Sequence, residues 1–154
     1  MRVIIPNIIT IAEAEELIKL SKVQVTHRSL LDGGPIIDRI IRTIPFPISV
    51  SIPSYYTIHC HPSGHKPHYD GCDGPGVTNA RSWCKYSATV LLSKGFEGGT
   101  FRFLTEPQVS HKEELYRSLL IYSSGPDNDP QQHSVDRHSG VARHMLIMFF
   151  KELV

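Results

Sequence analysis

From Ser49 onward the sequence is broken into apolar runs too short for helices. Ser49–Ile52, Tyr55–His61, Lys66–Tyr69, Lys85–Leu92, Thr100–Leu104, Arg117–Tyr122, His133–Val135 and Arg143–Phe150 each read as a strand, and many are separated by turns carrying Gly or Pro. About eight short strands fit a double-sheet antiparallel architecture. The segment His111–Tyr116 reads equally well as a capped helical turn or as a lead-in to the next strand.

The first 48 residues have a different texture. Thr10-Ile11-Ala12-Glu13 is a capping box, and Ile9 with Ala14 can staple it. A helix running to Lys22 at the latest should follow, with Ile11, Ala14, Leu17 and Ile18 on its apolar side. Val23–His27 alternates like a strand, and Asp32-Gly33-Gly34-Pro35 is a break. Pro35 suits the first turn of a second helix, in which Ile36, Ile37, Ile40, Ile41 and Ile44 recur at helical spacing. Pro45 and Pro47 end it, because proline cannot continue the hydrogen-bond ladder. The expected fold is mainly β, a double-stranded β-helix or jelly roll with two N-terminal helices packed outside. The 154 residues should form a single domain, with a helical lead-in over 1–48 and a jelly-roll core over 49–154.

Composition removes several function classes. A net charge of +1 offers no global field for nucleic acid, so no nucleic-acid partner is expected. No apolar run approaches the roughly 18 residues of a spanning helix, so no membrane role is expected. Pro6, Asn7 and the acidic Glu13, Glu15 and Glu16 argue against a signal peptide. Cys60, Cys72 and Cys84 make an odd number, which favours a reducing compartment; the expected location is cytoplasmic.

The chemistry centres on His68-Tyr69-Asp70. On an extended segment, residues two apart point the same way, so an imidazole and a carboxylate lie side by side. One more His from elsewhere would complete a two-His, one-carboxylate face on a metal, leaving open positions on Fe(II). The triplet alone is weak, since a His-x-Asp/Glu match is expected about once by chance at this composition, and His111-Lys112-Glu113 is another. Cys60, His61, His65, Cys72 and Cys84 form a rival cluster for structural Zn(II), with spacings that match no common zinc pattern. Asp70–Ser82, rich in Gly, Asp and Asn, reads as a mobile loop beside the site. Trp83, next to it, is a candidate lid residue whose ordinary reading is partial burial, and Phe101, Phe103, Phe149 and Phe150 read as core.

Four features in order carry a resemblance. They are His68-Tyr69-Asp70, then Cys84-Lys85-Tyr86-Ser87-Ala88-Thr89 with Phe96-Glu97-Gly98-Gly99, then Tyr122-Ser123-Ser124-Gly125-Pro126-Asp127-Asn128 followed by His133, and last Arg143. This set resembles the Fe(II)- and 2-oxoglutarate-dependent dioxygenases of the prolyl-hydroxylase group, nearest to the leprecan-like prolyl 3-hydroxylase branch. The resemblance implies His68, Asp70 and His133 as catalytic iron ligands and Arg143 as the anchor for the distal carboxylate of 2-oxoglutarate, with O2 as the other co-substrate and ascorbate as a supporting reductant. The group often has a co-substrate-binding Tyr nine or ten residues before the first ligand; here His59 or Ile58 stands there, with Tyr55 and Tyr56 nearby. His59 is the candidate donor. Asp129-Pro130-Gln131-Gln132 is inserted before His133, so His138 is a rival ligand; His133 keeps the group's ten-residue spacing to Arg143. The implied activity is hydroxylation of an unactivated C–H bond with release of succinate and CO2. A prolyl residue of a peptide or protein is one candidate substrate and a small molecule another. The alternative reading is a non-catalytic jelly-roll binding module or metal-binding protein.

Overall fold

The computed structural model describes residues 1–22, 28–30 and 34–152; for residues 21–22, 28–30 and 50–59 it describes the backbone alone. The chain opens with β1 (Arg2–Ile5) and then α1 (Ile11–Lys22). The capping box closes reciprocally: the Thr10 N–H donates to Glu13 Oε1 at 2.9 Å, and the Glu13 N–H donates to Thr10 Oγ1 at 3.1 Å. Ile9, Ala14 and Leu17 are buried, whereas Ile11, expected on the apolar side, is 53 % exposed on the helix's first turn. The strand expected over Val23–His27 lies outside the described residues. β2 (Arg28–Leu30) and α2 (Gly34–Arg42) follow, and Ile37 and Ile40 carry the buried face of α2. Arg39 of α2 donates to both carboxylate oxygens of Glu13, each at 2.7 Å, and ties the two helices together.

The β-rich part comprises β3 (Ile48–His59), β4 (His65–His68), β5 (Tyr86–Leu91), β6 (Phe96–Gly98), β7 (Phe101–Phe103), β8 (Val109–His111), β9 (Leu119–Ser123), β10 (His133–Val135), β11 (His138–Gly140) and β12 (His144–Glu152). One sheet has the order β1-β9-β5-β12-β3-β2, a second β4-β10-β7-β8, and β11 pairs with β6. All these pairings are antiparallel. This is the jelly-roll arrangement anticipated for the chain, with two helices against one sheet.

Alternation along the central strands builds two cores from one sheet. Ala88, Val90, Leu119, Ile121, Leu146, Met148 and Phe150 pack with the helices. Their neighbours Leu91, Leu120, Tyr122 and Met145 face the other way and pack with Phe96, Phe101 and Phe103. The large sheet is therefore buried on both faces, which explains its near-continuous apolar strands. Among the described residues, no helix is long and apolar enough to cross a membrane.

Several strands differ from expectation. β3 is continuous through Pro53, where two strands were expected. Its register against β12 slips between Met148 and Phe150: Met148 pairs with Tyr55 but Phe150 with Val50. The looped-out stretch holds Pro53, which has no N–H to give the ladder. β9 begins at Leu119, because Arg117 sits at φ +60 in a turn. His111–Tyr116 splits into the end of β8 and a 3-10 turn at Glu113–Leu115.

Candidate functional site

His68 ends β4 and His133 opens β10, and the two are paired residues of these antiparallel strands. The pairing sets their rings 4.2 Å apart. Asp70, two residues beyond His68, turns its carboxylate to the same side: Oδ1 is 3.2 Å from His68 Nε2 and 3.5 Å from His133 Nε2. The three ligand atoms lie within 4.8 Å of one another, and among the described residues this is the only such group of three or more His, Cys, Asp or Glu. The Cys60–Cys84 cluster does not assemble into one, and its three thiols are free.

Each ring is held by a backbone carbonyl. His68 Nδ1 lies 2.8 Å from the Lys66 carbonyl oxygen, and His133 Nδ1 lies 2.9 Å from that of Gln131. A carbonyl can only accept, so each Nδ1 carries a proton and each ring turns its Nε2 toward Asp70. His133 stacks on Phe101, with centroids 5.3 Å apart and planes 11° apart. Burial pushes the Asp70 carboxyl up, but the adjacent His133 and His68 outweigh it and hold the group well below the usual carboxylate range. Burial likewise opposes a charged His68, yet its hydrogen bond to Asp70 carries the balance and raises it. Gly71 follows directly. A Cβ there would come within 2.6 Å of the Ser124 carbonyl oxygen and closer still to that of Cys84, so only glycine lets the chain turn here.

Sequence reasoning missed Tyr122. Its O–H donates to Asp70 Oδ2 at 2.8 Å and lies 3.2 Å from His133 Nε2, and the residue is 2 % exposed. The available signal was alternation in β9, which turns Leu120 and Tyr122 toward the same interior. His138, the rival ligand, is committed elsewhere: its Nε2 meets the His61 carbonyl oxygen at 3.0 Å.

Arg143 stands just before β12, where the alternation continues through Met145, Ile147 and Phe149. All four line a cavity of about 800 Å³ that also contains His68, Asp70, His133 and Tyr122. Arg143 is 2 % exposed. Nη1 donates to Cys60 Sγ at 3.1 Å, and Nε has no hydrogen-bond partner among the described residues. Cys60 is no counter-ion, since burial pushes its thiol up more than Arg143 pulls it down. A buried guanidinium without an anionic partner is costly, on the order of several kcal/mol, unless a ligand supplies the anion. The side chains of His59, Tyr55 and Tyr56 lie outside the described residues. Trp83 is 38 % exposed, and the adjoining loop is tied by Asp73 N–H to the Val77 carbonyl at 3.0 Å and Asn79 Nδ2 to Asp73 Oδ1 at 3.0 Å.

At the sequence level no protein-family model and no curated protein matches this chain. Solved structures do. A prolyl-4-hydroxylase from Pseudomonas putida is similar over 99 % of this chain and 93 % of its own, at 14 % identity and a TM-score of 0.67. A viral collagen prolyl hydroxylase from Paramecium Bursaria Chlorella virus-1, in its 2OG complex, covers 99 % and 96 %, at 13 % identity and a TM-score of 0.69. HygX from Streptomyces hygroscopicus, with nickel and 2-oxoglutarate bound, covers 98 % and 81 %, at 14 % identity and a TM-score of 0.66. The chain therefore has the jelly-roll fold found in the 2-oxoglutarate/Fe(II) oxygenases.

Proposed function

We propose that this protein is an Fe(II)- and 2-oxoglutarate-dependent oxygenase that hydroxylates an unactivated C–H bond. The observation that carries the reading is Arg143: a buried guanidinium, lacking an anionic partner among the described residues, facing the same cavity as a His-Asp-His group. The donor set fits the metal, since two neutral imidazoles and one carboxylate suit Fe(II) and leave room for a chelating co-substrate and O2. The unpaired cation fits the co-substrate, because a guanidinium fork matches a carboxylate with two parallel hydrogen bonds. When bound, Fe(II) with 2-oxoglutarate and O2 couples decarboxylation of the co-substrate, to succinate and CO2, with transfer of one oxygen atom into the substrate's C–H bond.

The chain's own share is positioning. His68, Asp70 and His133 hold the metal, Tyr122 fixes the second oxygen of Asp70, and Arg143 orients the tail of 2-oxoglutarate. Met145, Ile147 and Phe149 supply an apolar wall that keeps water from the reacting centre. A prolyl residue of a peptide is the substrate favoured by the structural neighbours, among them a prolyl hydroxylase solved with a peptide fragment. The test is succinate formation from 2-oxoglutarate by protein supplied with Fe(II), ascorbate and O2, alongside Arg143→Ala. Succinate that disappears in the variant supports the reading. No succinate, with no thermal shift from Fe(II) plus 2-oxoglutarate but one from Zn(II), would mean a structural metal site instead.

A further inference from the structure

We propose that the substrate of this site carries an acidic group, a carboxylate or a phosphate, which Arg81 grips at the wall of the cavity it shares with Arg143. This rests on the oxygenase reading above and adds the substrate's chemical class. Arg81 lines the same cavity as the His-Asp-His group. Its guanidinium lies over the Phe149 ring, 5.0 Å from the centroid. Its backbone is pinned on both sides: the N–H donates to Asn79 Oδ1 at 2.7 Å, and the carbonyl accepts from the Cys84 N–H at 2.9 Å. Asn79 is itself held by Ser82 Oγ at 2.9 Å and Asp73 Oδ1 at 3.0 Å. The side chain is thus presented from a closed turn, and no carboxylate among the described residues pairs with it.

Charge balance then separates the roles of the two arginines. Among the described residues lining the cavity, Asp70 is the sole acid. A divalent metal on His68, Asp70 and His133 leaves one net positive charge, and Arg143 adds a second. The two carboxylates of 2-oxoglutarate cancel both, and the charge of Arg81 remains. Arg81 is exposed in the open cavity, where water can solvate its guanidinium. A substrate that covers it strips that water, so a neutral group there would leave a charge unpaired against Phe149. An acidic group meets the fork with charge-assisted hydrogen bonds.

The test uses protein loaded with Ni(II) and 2-oxoglutarate, titrated calorimetrically with two matched pairs of probes. Acetyl-Glu-Pro-Glu-amide against acetyl-Gln-Pro-Gln-amide represents an acid carried by a peptide. N-acetylproline against N-acetylprolinamide represents an acid carried by a small molecule. The acidic member of at least one pair should bind about tenfold tighter or better, and Arg81→Gln should erase that difference with Ni(II) and 2-oxoglutarate still bound. The pair that responds identifies the source of the acid. Equal affinity within both pairs, a preference that survives Arg81→Gln, or binding of neither pair overturns the inference. Failure of the wild-type protein to bind Ni(II) and 2-oxoglutarate would instead overturn the oxygenase reading beneath it.

Discussion

The two ends of the cavity are built on opposite principles. At the metal end the protein satisfies its own polar atoms. Both Asp70 oxygens are taken by His68, His133 and Tyr122, and both Nδ1 atoms by backbone carbonyls. At the other end Arg143 is also buried, and among the described residues its hydrogen-bond partner is a neutral thiol and its aromatic neighbour the Phe96 ring, 5.8 Å from the guanidinium carbon. A satisfied buried network holds its geometry before any ligand arrives, whereas an unsatisfied buried charge is stabilised only by the ligand it awaits. The His-Asp-His end is therefore preorganised by hydrogen bonds, whereas the Arg143 end carries a charge deficit.

The harshest way to break this contrast is Asp70→Ala. It removes the anion from the metal end and leaves the buried Tyr122 O–H without its acceptor. Ni(II) affinity, read by calorimetry, should fall by about 100-fold or more, since even supporting partners of ligands are worth about 10–100-fold. Stability should also drop by about 1–3 kcal/mol, the cost of a buried polar group left unpaired. Unchanged metal affinity would mean that Asp70 is not a ligand.

Arg143→Met should act on stability in the opposite direction. The variant keeps most of the stem's bulk and deletes a buried charge that has no counter-ion among the described residues. Metal-free protein should gain about 1–4 kcal/mol in denaturant unfolding, while 2-oxoglutarate binding to the Ni(II) form disappears. A loss of stability would show that the contacts of Arg143 with Cys60 and Phe96 already satisfy it, and the contrast between the two ends would fall.

Tyr122→Phe sharpens the comparison by removing a single oxygen from the finished end. Without that donor, Asp70 Oδ2 loses the hydrogen bond that fixes its orientation. Metal affinity should weaken by about 10–100-fold, and a Co(II) absorption spectrum should change with it. Equal affinity and an identical spectrum would mean that the two imidazoles alone orient Asp70.

What the sequence revealed divides along similar physical lines. The His68–Asp70 pair was legible because a two-residue period is local: the two share a face wherever that segment is extended, whereas His133 joins them only through the pairing of β10 with β4. The Thr10–Glu13 box and the isoleucine face of α2 were legible for the same reason. Tyr122 was not, since its role depends on β9 crossing beneath a loop 52 residues away. β6, β8 and β11 are short, β6 and β11 each end in Gly, and only pairing with β11, β7 and β6 makes them strands. The continuity of β3 through Pro53 depends on a bulge opposite β12, which is a property of the pair and not of either strand.

The helical face supplies the mildest test, because Glu13 and Arg39 form an ion pair far from the cavity's charge deficit. Hydrogen bonds from Arg39 and the Thr10 N–H hold the Glu13 carboxyl down at about 2, against about 4.3 for an unfolded Glu. A carboxyl depressed by folding stabilises the protein fully above its unfolded value, and the gain is lost as pH falls through the folded one. Glu13→Gln keeps an acceptor for Thr10 but removes the charge. Side-chain exposures of 50 % for Arg39 and 18 % for Glu13 put the pair in partly screened surroundings. The cost at neutral pH should therefore be about 0.5 kcal/mol, in the range of surface pairs. Thermal melts of the two proteins should differ by a constant offset above about pH 5, converge across the window from there to about 2, and show the same offset with and without Ni(II). An offset that changes on metal binding would mean that the helices and the metal end are energetically coupled, and the independence assumed for distant sites would not hold here.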